Sequence, residues 1–205
     1  MKRLLVLICA AAAACGGGSS SANSDGTVNG TLSGPNNEAI TISSVVEGDS
    51  ITYSGTACSG SAAESAIGVV LSDRGGACAG FENGAAVSSS TTLFISVSGV
   101  SSNGGAAPAI GAAGFTVGNA TPDGNGNIFA AAAFVSLFDA NCHSVSDPAT
   151  SGSITVSSIS GGVVTGTFDL IFGSTGELTG TFNAPACSLT ASQFCSLSSL
   201  NTCSG

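Results

Sequence analysis

One stretch decides the fold: Gly152-Ser-Ile-Thr-Val-Ser-Ser-Ile-Ser-Gly-Gly-Val-Val-Thr-Gly-Thr-Phe-Asp-Leu-Ile-Phe-Gly173. Apolar and polar residues alternate over Ser153–Ile159, which indicates a β-strand with one buried face. Gly161-Gly162 then supplies a turn. The next segment, Gly166–Phe172, carries large apolar side chains at every second position, so it is predicted to be a second strand with the same kind of buried face.

The chain turns a second time and returns. Gly173–Gly176 is the second turn, and Leu178, Gly180 and Phe182 follow on the face that matches the preceding strand. Two tight turns between three alternating segments are typical of antiparallel pairing. The sequence therefore predicts an antiparallel meander in the C-terminal third.

Segments further upstream repeat the strand pattern. Ile67–Leu71 is a short apolar run typical of a buried strand, and Thr92–Ser98 alternates so that its apolar residues share one face. Ile128–Phe138 contains four successive alanines that a helix would accept, but its Ile, Val and Phe residues favour a central strand. Glu47-Gly48-Asp49 is predicted to be a hairpin turn, and Gly75–Gly84 is predicted to hold a short helical turn.

Short strands at regular spacing, joined by glycine-rich turns, point to an all-β fold. We expect an antiparallel β-sandwich or a barrel-like domain that disulfides stabilise. About 190 residues remain once a leader is removed, which is enough for one domain with a substantial core.

The C-terminal pattern also carries a resemblance. The Gly152–Gly173 stretch, followed by Leu178-Thr-Gly-Thr-Phe-Asn-Ala-Pro-Ala-Cys187, resembles the C-terminal signature of myxobacterial-type bacterial lipoproteins. The motif is structural, a hairpin that ends in half of a disulfide, and no activity is assigned to that family. The resemblance therefore implies a fold and a location and no chemistry.

The N-terminus predicts export and a lipid anchor. Lys2 and Arg3 form a basic region, and Leu4–Ala14 is an apolar run with the length of a signal-peptide core. Three alanines lead to Cys15, which resembles the bacterial lipobox, although Leu is commoner where Ala12 stands. The alternative is an ordinary secretory signal with Cys15 as a plain thiol. Acylation of Cys15 would anchor the protein without a transmembrane helix.

We expect four segments. They are a signal peptide at 1–14, a lipid-anchored Gly/Ser tether at 15–27, a β-rich domain at 28–188 and a cysteine-containing tail at 189–205. A Gly/Ser chain is a flexible coil that lets an anchored domain stand away from the membrane. Gly16 after the lipidated cysteine, by the sorting habit of Gram-negative lipoproteins, predicts the outer membrane within the cell envelope.

The charge balance excludes some partners. Arg74 is the only Lys or Arg after the leader, and it stands against twelve carboxylates, so the mature formal net charge is −11. A nucleic-acid partner is excluded because phosphates cannot be neutralised without a basic patch. Contact with the membrane is therefore expected through the N-terminal lipid, and any protein partner is left unidentified.

Six cysteines lie beyond the leader and argue for disulfides, since an exported protein meets an oxidising compartment. They are Cys58, Cys78, Cys142, Cys187, Cys195 and Cys203. Spacing favours a local bridge between Cys195 and Cys203, which leaves the other four to cross-link the domain body. The full connectivity stays open.

Metal and cofactor binding find little support in the sequence. No C-x-x-C spacing occurs, and the single histidine, His143, directly follows Cys142, where both side chains cannot easily face one ion. Asp123, Asn125 and Asn127 copy the first ligands of an EF-hand, but the sixth and twelfth loop positions do not fit. A hairpin turn explains these residues better. We predict neither a metal site nor a cofactor.

Catalytic motifs are likewise missing. The chain contains no G-x-S-x-G elbow and no phosphate-binding glycine loop. The lack of Trp disfavours carbohydrate binding, which relies on stacked aromatic rings. We therefore expect a non-enzymatic structural or binding module of the cell envelope. The alternative is a secreted hydrolase whose site forms only in three dimensions, around His143 or a carboxylate pair. A pocket that brings His143 together with an Asp and a Ser would favour the hydrolase.

Overall fold

The computed structural model describes residues 25–33, 39–56, 63–187 and 203–204, and the features predicted for the leader, for the tether up to residue 24 and for Cys15, Cys58 and Cys195 lie outside them. The described chain is almost entirely antiparallel β-structure with one short helix, which confirms the all-β prediction. In chain order the elements are β1 (Asp25–Ser33), β2 (Ala39–Thr56), β3 (Ala63–Ser72), α1 (Ala77–Glu82), β4 (Ala86–Val87), β5 (Thr91–Ser101), β6 (Ala113–Thr116), β7 (Ala120–Pro122), β8 (Asn127–Phe138), β9 (Ser144–Pro148), β10 (Ser151–Ser160), β11 (Val163–Ile171), β12 (Gly176–Pro185) and β13 (Cys203–Ser204).

Strands that follow one another along the chain also lie next to one another in space. β1 pairs with β2, β2 with β3, β3 with β5, and β5 with β8, and each of these pairs is antiparallel. β8 pairs with β9, β10 with β11, β11 with β12, and β12 returns to β1. If β9 and β10 form one continuous strand, these pairings form a ring in which each strand has two neighbours.

Two residues between β9 and β10 join the ring. The Ala149 amide donates to the Ala133 carbonyl of β8 at 2.9 Å, and the Thr150 amide donates to the Ile171 carbonyl beside β11 at 2.7 Å. The chain thus changes partners within two residues, from β8 on one side to β11 on the other. The fold is therefore a barrel-like ring, and such closure gives β8 and β11 a partner strand on each side.

The interior of the ring is one apolar core. Every second residue of the strands points inward, as in Leu93, Ile95 and Val97 of β5, all at most 2% exposed. The C-terminal meander supplies the largest interior side chains, and Phe168, Leu170, Phe172, Leu178 and Phe182 are buried as the sequence pattern predicts. The predicted strand at 128–138 is confirmed as β8, and the predicted helical turn is α1.

Two Gly-Thr-Phe tripeptides interlock at the centre of the meander. Gly166 of β11 lies opposite Phe182 of β12, and Phe168 of β11 lies opposite Gly180 of β12. A Cβ atom added at either glycine would overlap the facing phenyl ring and a carbonyl oxygen of the other adjacent strand. Each phenylalanine therefore fills the space that its cross-strand glycine leaves empty.

The predicted hairpin turn at Glu47-Gly48-Asp49 is wrong. Those residues lie inside β2, a single strand of 18 residues. The first half of β2 pairs with β1 as far as Glu47, and its second half pairs with β3 from Glu47 onward. A turn at these residues would leave the backbone amides and carbonyls of Val70–Ser72 in β3 without hydrogen-bond partners. The free energy lost with those bonds exceeds the preference of Glu-Gly-Asp for a turn.

The connection from β3 to β5 builds a covalently cross-linked cap, which comprises residues 73–90 with α1 and β4. Cys78 of α1 is bonded to Cys187 at the end of β12, with their Cα atoms 5.6 Å apart across 109 residues of sequence. Cys142 is disulfide-bonded as well. β13 pairs in parallel with β4. The cap therefore ties the C-terminal part of the chain to one end of the ring.

We expect Gly166→Ala and Gly180→Ala to lower the free energy of unfolding by about 3 kcal/mol each, because the new methyl group overpacks a site with backbone on one side and a phenyl ring on the other. Gly114→Ala is the matched control, since Gly114 also lies in a strand and its added Cβ would meet only the Thr155 hydroxyl, at 4.0 Å. Urea unfolding followed by circular dichroism measures all three. Equal, small effects would contradict the interlocked packing.

Candidate functional site

The long connection between β5 and β8 forms a cleft at the place where the ring joins. This connection carries β6, which pairs with β10, and β7, which pairs with β8. Two short strands from one connection thus lie against the two ring strands that meet near Ala149. Between β6, β7 and β8 they leave a cleft of about 430 Å³.

The floor of the cleft is fixed by backbone hydrogen bonds. Val117, which follows β6, forms a bridge with Ala131 of β8, and its amide donates to the Gly152 carbonyl at 3.0 Å. The Gly118 amide donates to the Ala131 carbonyl at 3.1 Å. These bonds hold the connection to both ring strands, so the cleft stands on backbone that is hydrogen-bonded to the ring.

Aromatic rings and small residues form most of the wall. The rings of Phe115 and Phe129 lie 6.3 Å apart at 47° to one another, and Pro122 and Ala131 continue the apolar surface. Phe129 packs over Gly99 of β5, where an added Cβ would meet its ring at 2.8 Å. Both rings are half-buried, so each presents part of its face to a molecule in the cleft.

Asn119 and Asp123 supply polar groups at the rim. The Asp123 carboxylate accepts from the amides of Asn125 and Asn127 at 2.7 and 3.1 Å, and from Nδ2 of Asn127 at 2.8 Å. The side-chain hydrogen bond from Asn127, followed by the one from the Asn125 amide, lowers the pKa of Asp123, so the carboxyl is ionised at neutral pH.

The turn between β7 and β8 has the predicted hairpin form. The Asp123 amide donates to the Asn127 carbonyl at 3.1 Å, and Gly124 and Gly126 have φ values of 80° and 84°. Those backbone conformations favour glycine. The Asp123 carboxylate, which stands at the first ligand position of an EF-hand pattern, therefore accepts the hydrogen bonds that shape this turn.

His143 lies away from the cleft on an open surface. Its side chain is 83% exposed, and Nδ1 lies 3.2 Å from Oδ2 of Asp139. No serine hydroxyl is among the partners of this imidazole in the described part of the chain. Burial raises the pKa of Asp139, but hydrogen bonds from the amides of His143 and Asn141 outweigh it and lower the pKa overall. The Asp139 carboxylate is thus the acceptor of a tight turn to which His143 and Asn141 donate.

Carboxylates do not converge on the cleft. Asp123 is the only acidic residue among the described residues that line it. Asp169 and Glu177 lie on adjacent strands, β11 and β12, but they are offset by two residues and exposed on the outside of the ring. Within the described ranges, no group of three or more His, Cys, Asp or Glu residues could hold a metal ion.

The aromatic pair of the cleft was not predicted from the sequence. The sequence pattern predicts a strand for Phe129, and Phe115 lies in a Gly/Ala-rich connection without clear periodicity. The one available signal was a single aromatic residue within that small-residue segment, which indicates a place where the connection folds back onto the domain.

No protein-family model matches the chain, and no curated protein and no solved structure is significantly similar to it. In the parts of the chain that the structure describes, no helix is long and apolar enough to span a membrane.

Proposed function

We propose that this protein is a lipid-anchored lipoprotein of the bacterial cell envelope whose barrel-like domain binds a small, largely apolar ligand in the cleft between β6, β7 and β8. The observation that carries the binding role is the cleft itself. Its aromatic walls stand on a hydrogen-bonded floor, and a concave apolar surface with a few polar groups is the usual form of a small-molecule site.

The anchor rests on the N-terminal sequence. A basic start, an apolar core of signal-peptide length and Cys15 after small residues together support export and acylation. The Gly/Ser segment that follows would allow the domain to reach ligands at a distance from the membrane. Gly16 after the cysteine supports the outer membrane as the destination.

Charge narrows the class of ligand. Asp123 is ionised and is the only charged residue among the described residues of the cleft, while the mature chain carries a net charge of −11. An anionic ligand would meet repulsion both at the rim and from the whole protein. The ligand is therefore neutral or cationic, and the cleft volume limits it to a small molecule.

The hydrolase alternative receives no support from the geometry. His143 is exposed, it is hydrogen-bonded to Asp139, and it does not line the cleft. A catalytic imidazole needs a nucleophile within hydrogen-bond reach and some exclusion of water.

The anchor is tested by intact mass of the protein extracted from membranes. We expect a mass that matches residues 15–205 plus acyl chains, with a gain of about 6 Da on reduction because each of three disulfides takes up two hydrogens. Cys15→Ala is expected to move the protein out of the membrane fraction. An unacylated mass for the wild-type protein would contradict the anchor and leave the binding role untouched.

The cleft is tested with a neutral fluorescent probe, N-phenyl-naphthylamine. We expect saturable binding to the wild-type domain and weakening by roughly fivefold or more in Phe115→Ala, since half of the aromatic wall is removed. Phe94→Ala is the matched control, because Phe94 is a half-buried ring stacked on Phe134 outside the cleft at 5.1 Å.

A charged probe adds a second comparison. Anilinonaphthalene sulfonate has nearly the same rings plus one negative charge, so we expect weaker binding than for the neutral probe. Absence of saturable binding by the neutral probe, or an equal loss in Phe115→Ala and Phe94→Ala, would refute the cleft as the binding site.

A further inference from the structure

Cys142 lies in the turn between β8 and β9, and its side chain is buried against β4. The residue is 4% exposed and has a φ of 58°, and its amide donates to the Asp139 carbonyl at 3.1 Å. Its Sγ lies 3.6 Å from the Ala86 carbonyl oxygen of β4. Since Cys142 is disulfide-bonded, its partner must lie beside β4.

β4 has a cysteine-containing neighbour. In the parallel pairing of β4 with β13, Cys203 is the Cα partner of Ala86. Paired strands are about 4.8 Å apart, and a disulfide joins Cα atoms roughly 4.4–6.8 Å apart. The backbone of Cys203 is therefore one strand spacing from Ala86, and the Ala86 carbonyl oxygen contacts the Cys142 sulfur.

The remaining cysteines narrow the choice. Cys78 and Cys187 are bonded to one another, so Cys58, Cys195 and Cys203 are left as partners beyond the leader. The pairing of β13 with β4 places the backbone of Cys203 beside Ala86. We propose that Cys142 and Cys203 form a disulfide. This replaces the local Cys195–Cys203 bridge that spacing favoured.

Formation of this bond is an ordinary two-electron oxidation. The two thiols lose two protons and two electrons as one S–S bond forms, and a thiol–disulfide oxidant of the exported compartment accepts the electrons. The reaction therefore completes only after export.

The bridge has a structural consequence for the cap. Cys187 at the end of β12 is tied to α1, and Cys203 of β13 would be tied to the turn after β8, so two bridges would hold the cap. β4 and β13 are two residues each, too short to stay paired without other support. The bond supplies that support and joins β13 to the turn that follows β8, the strand that also forms the cleft wall.

The test is disulfide mapping of the unreduced wild-type protein. Pepsin at acid pH suits it, because acid suppresses thiol exchange and because Arg74 offers trypsin a single site beyond the leader. Cleavage at Leu197 or Leu200 separates Cys195 from Cys203. We expect a peptide pair that contains Cys142 and Cys203 and that separates on reduction. Linkage of Cys195 to Cys203, or of Cys142 to Cys58, would overturn the assignment.

Thiol labelling gives an independent check. We expect Cys142→Ser to leave Cys203 fully reactive with N-ethylmaleimide after denaturation without a reductant, while the Cys78–Cys187 peptide pair stays intact. Cys78→Ser is the matched control and should expose Cys187 instead. An unlabelled Cys203 in the Cys142→Ser protein would overturn the proposal, because Cys203 would then have another partner.

Discussion

The structure depends on the closure of one backbone ladder. At Ala149 and Thr150 the chain leaves β8 and joins β11, and two amide hydrogen bonds convert a curved sheet into a ring. Each bond contributes only about 1 kcal/mol by itself. Closure matters more than that because it gives β8 and β11 a partner on each side and encloses a core that an open sheet would expose on one side.

Ring size is matched to the side chains that fill it. Gly166 and Gly180 let Phe182 and Phe168 lie flat against the neighbouring strand, so two large rings fit where two side chains of ordinary size would collide. A small barrel has an interior just wide enough for its own side chains. Among the described residues apolar side chains fill the interior of the ring, and the cleft proposed as a binding site is formed by a connection instead. The β5–β8 connection forms the cleft near the join, and the β3–β5 connection forms the cross-linked cap.

Sequence patterns predicted much of this fold and little of the site. Alternation is strong where a strand has one buried face, and it identified β5, β10, β11 and β12. It failed at Glu47-Gly48-Asp49, where turn-forming residues lie inside a strand because β1 and β3 both pair with it. The place of Phe115 in the cleft could not be predicted, since it arises from a connection that crosses two ring strands. Disulfide pairing also depends on distance in space. The sequence therefore placed Cys78 and Cys187 among four cysteines that cross-link the domain, but it could not predict that these two are bonded to one another.

Closure is tested most directly by scalar couplings across hydrogen bonds in an isotope-labelled domain. The ring requires a coupling between the Ala149 amide nitrogen and the Ala133 carbonyl carbon, and another between the Thr150 amide nitrogen and the Ile171 carbonyl carbon. We expect both couplings, with amide exchange at these residues as slow as in β11. Missing couplings and fast exchange at both amides would mean that β8 and β10 are not joined, and the barrel-like account would be wrong.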